Sequence, residues 1–285
     1  MIKLALSDMD NTIVPMGARG ISERMREAIH AATEAGVLFG PATGRDTVEL
    51  FRFFRADETC YKTGVLSNGK RVLADGETVS LTLIPHEGLV AIADALRDRE
   101  MFLNCYPTES NLLNPAYAVG VPSEEMMNRY EARLGFVGGC MDEVPKIDFV
   151  AATIACPGEA EPMEQQMADV ERIVEEVAPD LRVVLPIPGW FDIMPKGVSK
   201  ASGLDALLAA TGFAEDEVVV FGDAANDLEI LRKVKYSVAV ANATDEVKEA
   251  AGYHIGACAD DAVADALLEI ARAAKCGEMP EFLRG

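Results

Sequence analysis

Short apolar runs, each closed by a polar or glycine-rich turn and followed by apolar residues three and four apart, recur at both ends of this chain. Ile2-Lys3-Leu4-Ala5-Leu6-Ser7, the run at 36–42 and Val218-Val219-Val220-Phe221 read as strands. Residues 22–35 read as a helix capped by Ser22 and ended by Gly36, with Met25, Ile29 and Ala32 on one face. Leu204, Leu207 and Leu208 mark a second helix behind Ser199, and Leu228, Ile230 and Leu231 a third. This alternation predicts an α/β fold, a Rossmann-like and mainly parallel sheet with helices on both faces, whose ligands bind at the carboxyl ends of the strands. Ser67-Asn68-Gly69-Lys70 predicts a tight hairpin, because Asn-Gly accepts the left-handed conformations of a type I′ turn.

Past the hairpin the pattern changes. Helix candidates at 86–98, 123–134 and 161–177 interleave with strand candidates at 101–106, 149–156 and 181–185. That is enough for a separate α+β unit, so the spacing predicts a core from residues 1–82 and 188–285 with residues 83–187 inserted into it. Trp190 is expected to pack the strand at 190–194.

The polar residues worth attention fall where strands end. Asp8-Met9-Asp10-Asn11-Thr12 follows the first strand; carboxylates two apart on an extended strand point the same way, so one can attack phosphorus while the other protonates a leaving oxygen. Alone, such a pair reads first as an Asp-rich turn capping a helix. Thr43-Gly44-Arg45 follows the second strand and offers a hydroxyl beside a glycine that admits backbone N–H groups, or else an ordinary strand-to-helix turn. In Lys196-Gly197-Val198-Ser199-Lys200, Ser199 caps a helix and leaves Lys200 in its first turn, where the helix dipole opposes a cation. A solvated surface lysine, or one that neutralises an aspartate and a phosphate, satisfies that pattern. In Gly222-Asp223-Ala224-Ala225-Asn226-Asp227 the turn can return the oxygens of Asn226 and Asp227 toward Asp223, a hard-oxygen set suited to Mg²⁺.

In this order, the four segments resemble the motifs of the haloacid dehalogenase superfamily of phosphatases. The likeness is strongest to its Cof-type hydrolases, with Asp-x-Asp-x-Thr, Thr-Gly-Arg, Pro-Lys-Gly-x-Ser-Lys and Gly-Asp-x-x-Asn-Asp. It covers residues 1–82 and 188–272 and fades between them. The resemblance implies that Asp8 is the nucleophile, Asp10 the general acid and base, and Lys200 the motif lysine. It implies that Thr43 and Gly44 bind the phosphoryl group with Arg45 and Lys196, and that Asn226 faces the phosphate or a metal-bound water. It further implies a Mg²⁺ held by Asp8, the backbone carbonyl of Asp10 and Asp223, with Asp227 in support. Two departures stand out: Asn11 replaces a common Gly, and Asp260-Asp261-Ala262-Val263 stands where Asp-Gly-Val is usual. The insert corresponds to a C2-type cap that closes over substrate and sets specificity; Asn104, Tyr106, Glu109 and Asn114 could read a sugar there, or serve only as surface-loop residues.

Composition narrows the partners. The chain has 285 residues, 49% of them apolar, which supports a full core. No stretch reaches the roughly 18 apolar residues of a membrane span, and the start lacks a basic region before a long apolar one, so a cytoplasmic protein is expected. Six cysteines without CxxC spacing read as reduced, mainly core residues, and His30, His86 and His254 as surface or internally satisfied histidines. The net charge of −21 argues against nucleic acid or an anionic membrane as partner. It also requires a local positive site for a phosphate, from Mg²⁺, Lys200, Arg45 and Lys196 or Lys62. The expected activity is a Mg²⁺-dependent phosphatase acting on a small phosphorylated metabolite, a sugar or polyol phosphate, through an aspartyl-phosphate. The alternatives are a phosphomutase of the same fold and a non-catalytic sugar-phosphate sensor.

Overall fold

The chain folds as a discontinuous unit interrupted by a second one. In the computed structural model, which describes residues 1–109, 116–121, 123–128, 139–156, 163–187 and 189–284, the units are Met1–Leu81 with Val198–Gly285, and Thr82–Gly197. The first begins β1 (Leu4–Ser7), α1 (Glu23–Glu34), β2 (Leu38–Pro41), α2 (Thr47–Phe53), β3 (Gly64–Leu66), β4 (Arg71–Ala74) and β5 (Glu77–Leu81). The second contains α3 (His86–Leu96), β6 (Phe102–Pro107), β7 (Tyr117–Val119), β8 (Cys140–Met141), β9 (Phe149–Ala155), α4 (Met163–Val177), β10 (Leu181–Ile187) and β11 (Trp190–Pro195). The chain then returns with α5 (Lys200–Thr211), β12 (Val218–Gly222), α6 (Leu228–Lys233), β13 (Tyr236–Ala239), α7 (Asp245–Ala250), β14 (Tyr253–His254) and α8 (Ala262–Cys276).

In the first unit the strand order is β14-β13-β12-β1-β2, with every neighbour parallel. All residues of β1 and β12 are buried, which is why both read as unbroken apolar runs rather than alternating ones. The order also explains the placement of the chemistry. From β1 the chain builds outward to β2 on one side and later to β12, β13 and β14 on the other, so the winding reverses at β1, the position at which open α/β sheets place their ligand sites. The hydroxyl of Ser22 caps α1 as expected, accepting from the Met25 N–H at 2.9 Å. α1 packs along α8.

The Asn-Gly hairpin is present between β3 and β4. The Lys70 N–H donates to the Ser67 carbonyl (3.3 Å), and Ser67 (φ 49°), Asn68 (φ 56°) and Gly69 (φ 95°) are all left-handed, one residue more than a two-residue type I′ turn uses. The register Leu66↔Arg71 makes the loop four residues long. Its tip has a structural role: a Cβ on Gly69 would lie 2.0 Å from the Ser199 carbonyl oxygen, so the glycine lets the hairpin abut the start of α5, where Lys200 sits.

The second unit holds a separate sheet, β10-β11-β9-β6-β7-β8, antiparallel except for β7 with β8. Its core includes Leu89, Ile92, Leu103, Ile154, Ile173, Phe191 and Ile193. The predicted first boundary differs by one residue, but the second moves from 188 to 198. The reason is β11, which pairs on one side with β10 and on the other with β9 and so belongs to the inserted sheet. Trp190 packs there with Phe102, Ala118, Met126 and Ala155. Part of the helix expected at 123–134, the start of the one at 161–177, and Asn114 lie outside the described residues. Among the described residues no helix is long and apolar enough to cross a membrane.

Candidate active site

The site is built from the turns that follow β1, β2 and β12 and from the first turn of α5. Asp8 comes directly after β1, and its N–H donates to the Phe221 carbonyl of β12 at 2.9 Å, so its backbone is pinned between two strand ends. The chain then tightens: the Met9 carbonyl accepts from the N–H groups of Thr12, Ile13 and Val14 (3.2, 3.0 and 2.8 Å). That turn puts Asn11 at φ 61°, a conformation asparagine tolerates better than most side chains, which accounts for its standing where glycine is common.

Lys200 approaches from the side. Ser199 and Ser202 cap the helix reciprocally, Ser199 N–H to Ser202 Oγ (2.9 Å) and Ser202 N–H to Ser199 Oγ (3.4 Å). The Lys200 side chain is fully buried, and its Nζ donates to Asp8 Oδ1 and to Asp227 Oδ1, each at 2.6 Å. The other Asp227 oxygen, Oδ2, accepts from the backbone N–H groups of Asp223 (3.1 Å) and Ala224 (3.2 Å). Gly222 makes this possible, since a Cβ there would fall 2.8 Å from the Asp227 carboxylate. Asp223 completes the cluster, its Oδ1 accepting from the Thr12 hydroxyl at 2.8 Å.

Three buried carboxylates face one ammonium. Burial holds Asp8 well above the usual carboxylate range; Lys200 opposes that, and Asp227 and Asp223 add to it. Burial, reinforced by Asp227, pushes Asp223 up to about 6 in spite of the Thr12 hydrogen bond. For Lys200, burial works to lower the pKa, but Asp227 and Asp8 outweigh it and raise it. The excess buried negative charge and the all-oxygen donor set fit a hard divalent cation: carboxylate oxygens of Asp8, Asp223 and Asp227 lie within 4.8 Å of one another. Both Asp227 oxygens are already engaged, so Asp8 and Asp223 are the ones with an oxygen to offer.

Asp10 faces elsewhere. Its side chain is 54% exposed and is gripped by Arg45, Nη2 to Oδ1 at 2.7 Å and Nε to Oδ2 at 2.9 Å. Arg45 also donates from Nη1 to Glu49 Oε1 (2.7 Å) and stacks 4.2 Å from the centre of the Phe53 ring. The Asp10 carboxylate is therefore not among the clustered three, and any share in the cation would fall to its backbone carbonyl.

Thr43 is buried. Its N–H donates to Val65 (2.8 Å), its carbonyl accepts from Asn68 (2.8 Å), and its hydroxyl accepts from the Arg45 N–H (3.2 Å). Gly44 lies against the Asn68 side chain. Asn226 is half-buried. Lys196 is exposed and lies on the second unit, its N–H donating to Asp180. Asn104, a candidate sugar reader, is buried and donates to the Tyr106 hydroxyl at 2.7 Å.

Two residues with structural roles in the site received none from the sequence. Thr12 stands in the first motif without a role of its own, yet it joins the β1 turn to Asp223. Asn242 donates to the Asn11 carbonyl (2.7 Å) and accepts from the Cys258 N–H (2.8 Å), tying the turn that carries Asp10 to the loop after β14. Its signal was its position two residues past the apolar run 236–240, at another strand end.

The family model for haloacid dehalogenase-like hydrolases matches residues 5–267. The chain is 27% identical over 274 residues to the 5-amino-6-(5-phospho-D-ribitylamino)uracil phosphatase YbjI of Escherichia coli K12, covering 93% of this chain and 95% of that one. Among solved structures, SMU.1108c from Streptococcus mutans UA159 superposes with a TM-score of 0.77 at 22% identity, over 94% of this chain and 98% of that one. The subclass IIB sugar phosphatase BT4131 superposes at 0.73 and 21% identity, over 93% and 97%. The chain belongs to the haloacid dehalogenase-like hydrolases. Within that family it is a Cof-type phosphoric monoester hydrolase.

Proposed function

We propose that this protein hydrolyses a small phosphomonoester, a sugar or polyol phosphate, with Mg²⁺ and through an aspartyl-phosphate on Asp8. The observation that carries the reading is the buried contact of Lys200 with Asp8 and Asp227, which holds the Asp8 carboxylate in one orientation at the end of β1. Mg²⁺, held by Asp8 and Asp223 with the Asp10 carbonyl, would supply charge neutralisation for the phosphoryl oxygens. Asp8 forms the new bond to phosphorus as the bond to the leaving alcohol breaks, and Asp10 gives that oxygen its proton. Asp10 then takes a proton from the water that displaces Asp8 and releases inorganic phosphate. Thr43, Gly44 and Asn226 provide hydrogen bonds to the phosphoryl oxygens, and Arg45 orients Asp10. The second unit is assigned the choice of leaving group.

The relatives support the class, one named for a ribitylaminouracil phosphate and one for a sugar phosphate. Retention of both Asp8 and Asp10 speaks against a pure sensor. The test is rapid-quench trapping with an activated aryl phosphate and Mg²⁺. The expected result is a phosphoryl-enzyme in the wild type, none in Asp8→Asn, and no turnover with excess chelator. A trapped intermediate on Asp8→Asn would place the nucleophile elsewhere, and phosphate returned to substrate faster than to water would make the protein a mutase.

A further inference from the structure

His30, Asp57 and Cys60 take no part in the chemistry above, and their spacing in the sequence gives no hint that they meet. The fold brings them together beside α1. His30 lies on that helix, which buries Met25, Ala28, Ile29 and Ala32 against the core, while Asp57 and Cys60 flank a single turn in which the Cys60 N–H donates to the Asp57 carbonyl at 3.0 Å. His30 Nε2 is 2.6 Å from Asp57 Oδ2, and one ligand-type atom from each of the three residues lies within 4.8 Å of the other two.

We propose that His30, Asp57 and Cys60 form a second metal site, selective for a zinc-like transition ion and separate from the oxygen-only cluster around Asp8. The donor set carries the selectivity. One imidazole, one thiolate and one carboxylate with an open fourth position is a combination that suits Zn²⁺ and is poorly matched to Mg²⁺. Tetrahedral zinc places such ligand atoms about 3.3–3.8 Å apart, given bond lengths of about 2.0–2.3 Å. The His30–Asp57 contact would open slightly, and side-chain rotation can draw in the widest separation.

The site is supported from behind and open in front. Cys60 is fully buried, while the His30 and Asp57 side chains are 39% and 17% exposed, so a metal can enter from solvent and keep a water as fourth ligand. Burial, with the negative charge of Asp57 adding to it, pushes the Cys60 thiol up to about 12. It therefore stays protonated until a bound cation releases its proton to solvent. Arg26 is the competing cation: its Nη1 stands 3.5 Å from Asp57, but Glu23 holds the same guanidinium through Nε and Nη2. It can withdraw from Asp57 without losing its main partner. Bound metal would staple α1 to the segment that leads into β3.

Co²⁺ is the probe, titrated into the intact protein with Mg²⁺ in excess. The expected result is one equivalent of bound Co²⁺ with a thiolate-to-cobalt charge-transfer band, displaced by Zn²⁺. Cys60→Ser should lose the band, and His30→Gln, a change on an exposed helix face, should weaken Co²⁺ binding by at least about tenfold. Zn²⁺ should raise the melting temperature of the wild type but not of His30→Gln. No charge-transfer band in the wild type, or a band that persists unchanged in either variant, would overturn the site. Should Cys60→Ser fail to fold, His30→Gln decides the matter alone.

Discussion

Two ion-paired groups lie in the first unit, and they are built in opposite ways. Lys200 joins Asp8 and Asp227 with side chains that are 0%, 8% and 1% exposed; Arg45 joins Asp10 with side chains that are 25% and 54% exposed. A buried charge cannot part from its partner without leaving the other uncompensated, whereas an exposed pair exchanges protein for water at little cost. The proposed nucleophile is thus held rigidly, and the proposed acid and base is on a partner that can let go. That matches what each is proposed to do: Asp8 must hold one geometry for in-line attack, while Asp10 must reach first a leaving oxygen and then a water.

The comparison fails first if the buried pair proves dispensable. Lys200→Met removes the ammonium and leaves Asp8 and Asp227 facing each other in a dry site. The expected loss of stability is about 3–5 kcal/mol in urea unfolding without metal, together with loss of turnover. A loss below about 1 kcal/mol, the range of exposed pairs, would mean that the two pairs do not differ in kind.

Asp10→Asn should leave folding unchanged and act on chemistry alone. Turnover of an alkyl phosphate should fall about 10²–10⁴-fold, the contribution of a general acid or base. Transfer from an activated aryl phosphate to Asp8 should survive, with the phosphoryl-enzyme accumulating. Equal losses on both substrates would show that Asp10 serves geometry rather than proton transfer.

The excess charge in the buried cluster gives a pH signature. Asp223 titrates near 6 in the folded protein against an ordinary value of 3.8, and Asp8 is raised in the same direction. Below about pH 4 both folded and unfolded forms hold these protons and nothing is lost. As the pH rises through about 6, the folded form must release protons that it binds more tightly than the unfolded chain does, so stability declines. Metal-free protein should therefore lose stability between pH 4 and 7. Mg²⁺ should restore it at pH 7 and do little at pH 4. In Asp223→Asn the decline should shrink, and a curve identical to the wild type would remove Asp223 from the cluster.

Much of this was legible in the sequence because it was local. Apolar runs identified β1, β2 and β12 of the main sheet but not β13 or β14 at its edge, and Asp8, Thr43 and Asp223 could be placed at strand ends from the residues just before them. Ser199 as a helix cap set Lys200 in a first turn, where a solvated lysine and one facing an aspartate fit equally until the fold buried it against Asp8 and Asp227. What was illegible depended on pairing across distance. The run 190–194 looked the same whether it joined the core or the insert, and only its pairing with β9 and β10 moved the boundary to 198. Arg45 read as a phosphate ligand because its spacing could not reveal that Asp10, thirty-five residues away, would occupy it. Asn242 and the meeting of His30 with Cys60 were hidden for the same reason.

The smallest expected effect is the most discriminating for the exposed pair. Arg45→Gln removes two hydrogen bonds to Asp10 and one to Glu49, but leaves Asp10 facing water, so unfolding should shift by no more than about 1 kcal/mol. Glu49 adds some risk: burial raises its pKa while Arg45 counteracts that, and without the arginine it would be more easily protonated. The Glu49 side chain is 32% exposed, so water and protonation both soften the loss of its partner, which keeps the expected loss small. For turnover, Arg45 as a releasable holder of Asp10 predicts a change of less than about tenfold, well short of the range for a lost general acid. If Arg45→Gln instead reproduced Asp10→Asn on alkyl phosphates while sparing aryl phosphates, Arg45 would be holding Asp10 in its working position throughout the cycle. The exposed pair would then be as much a part of the fixed machinery as the buried one.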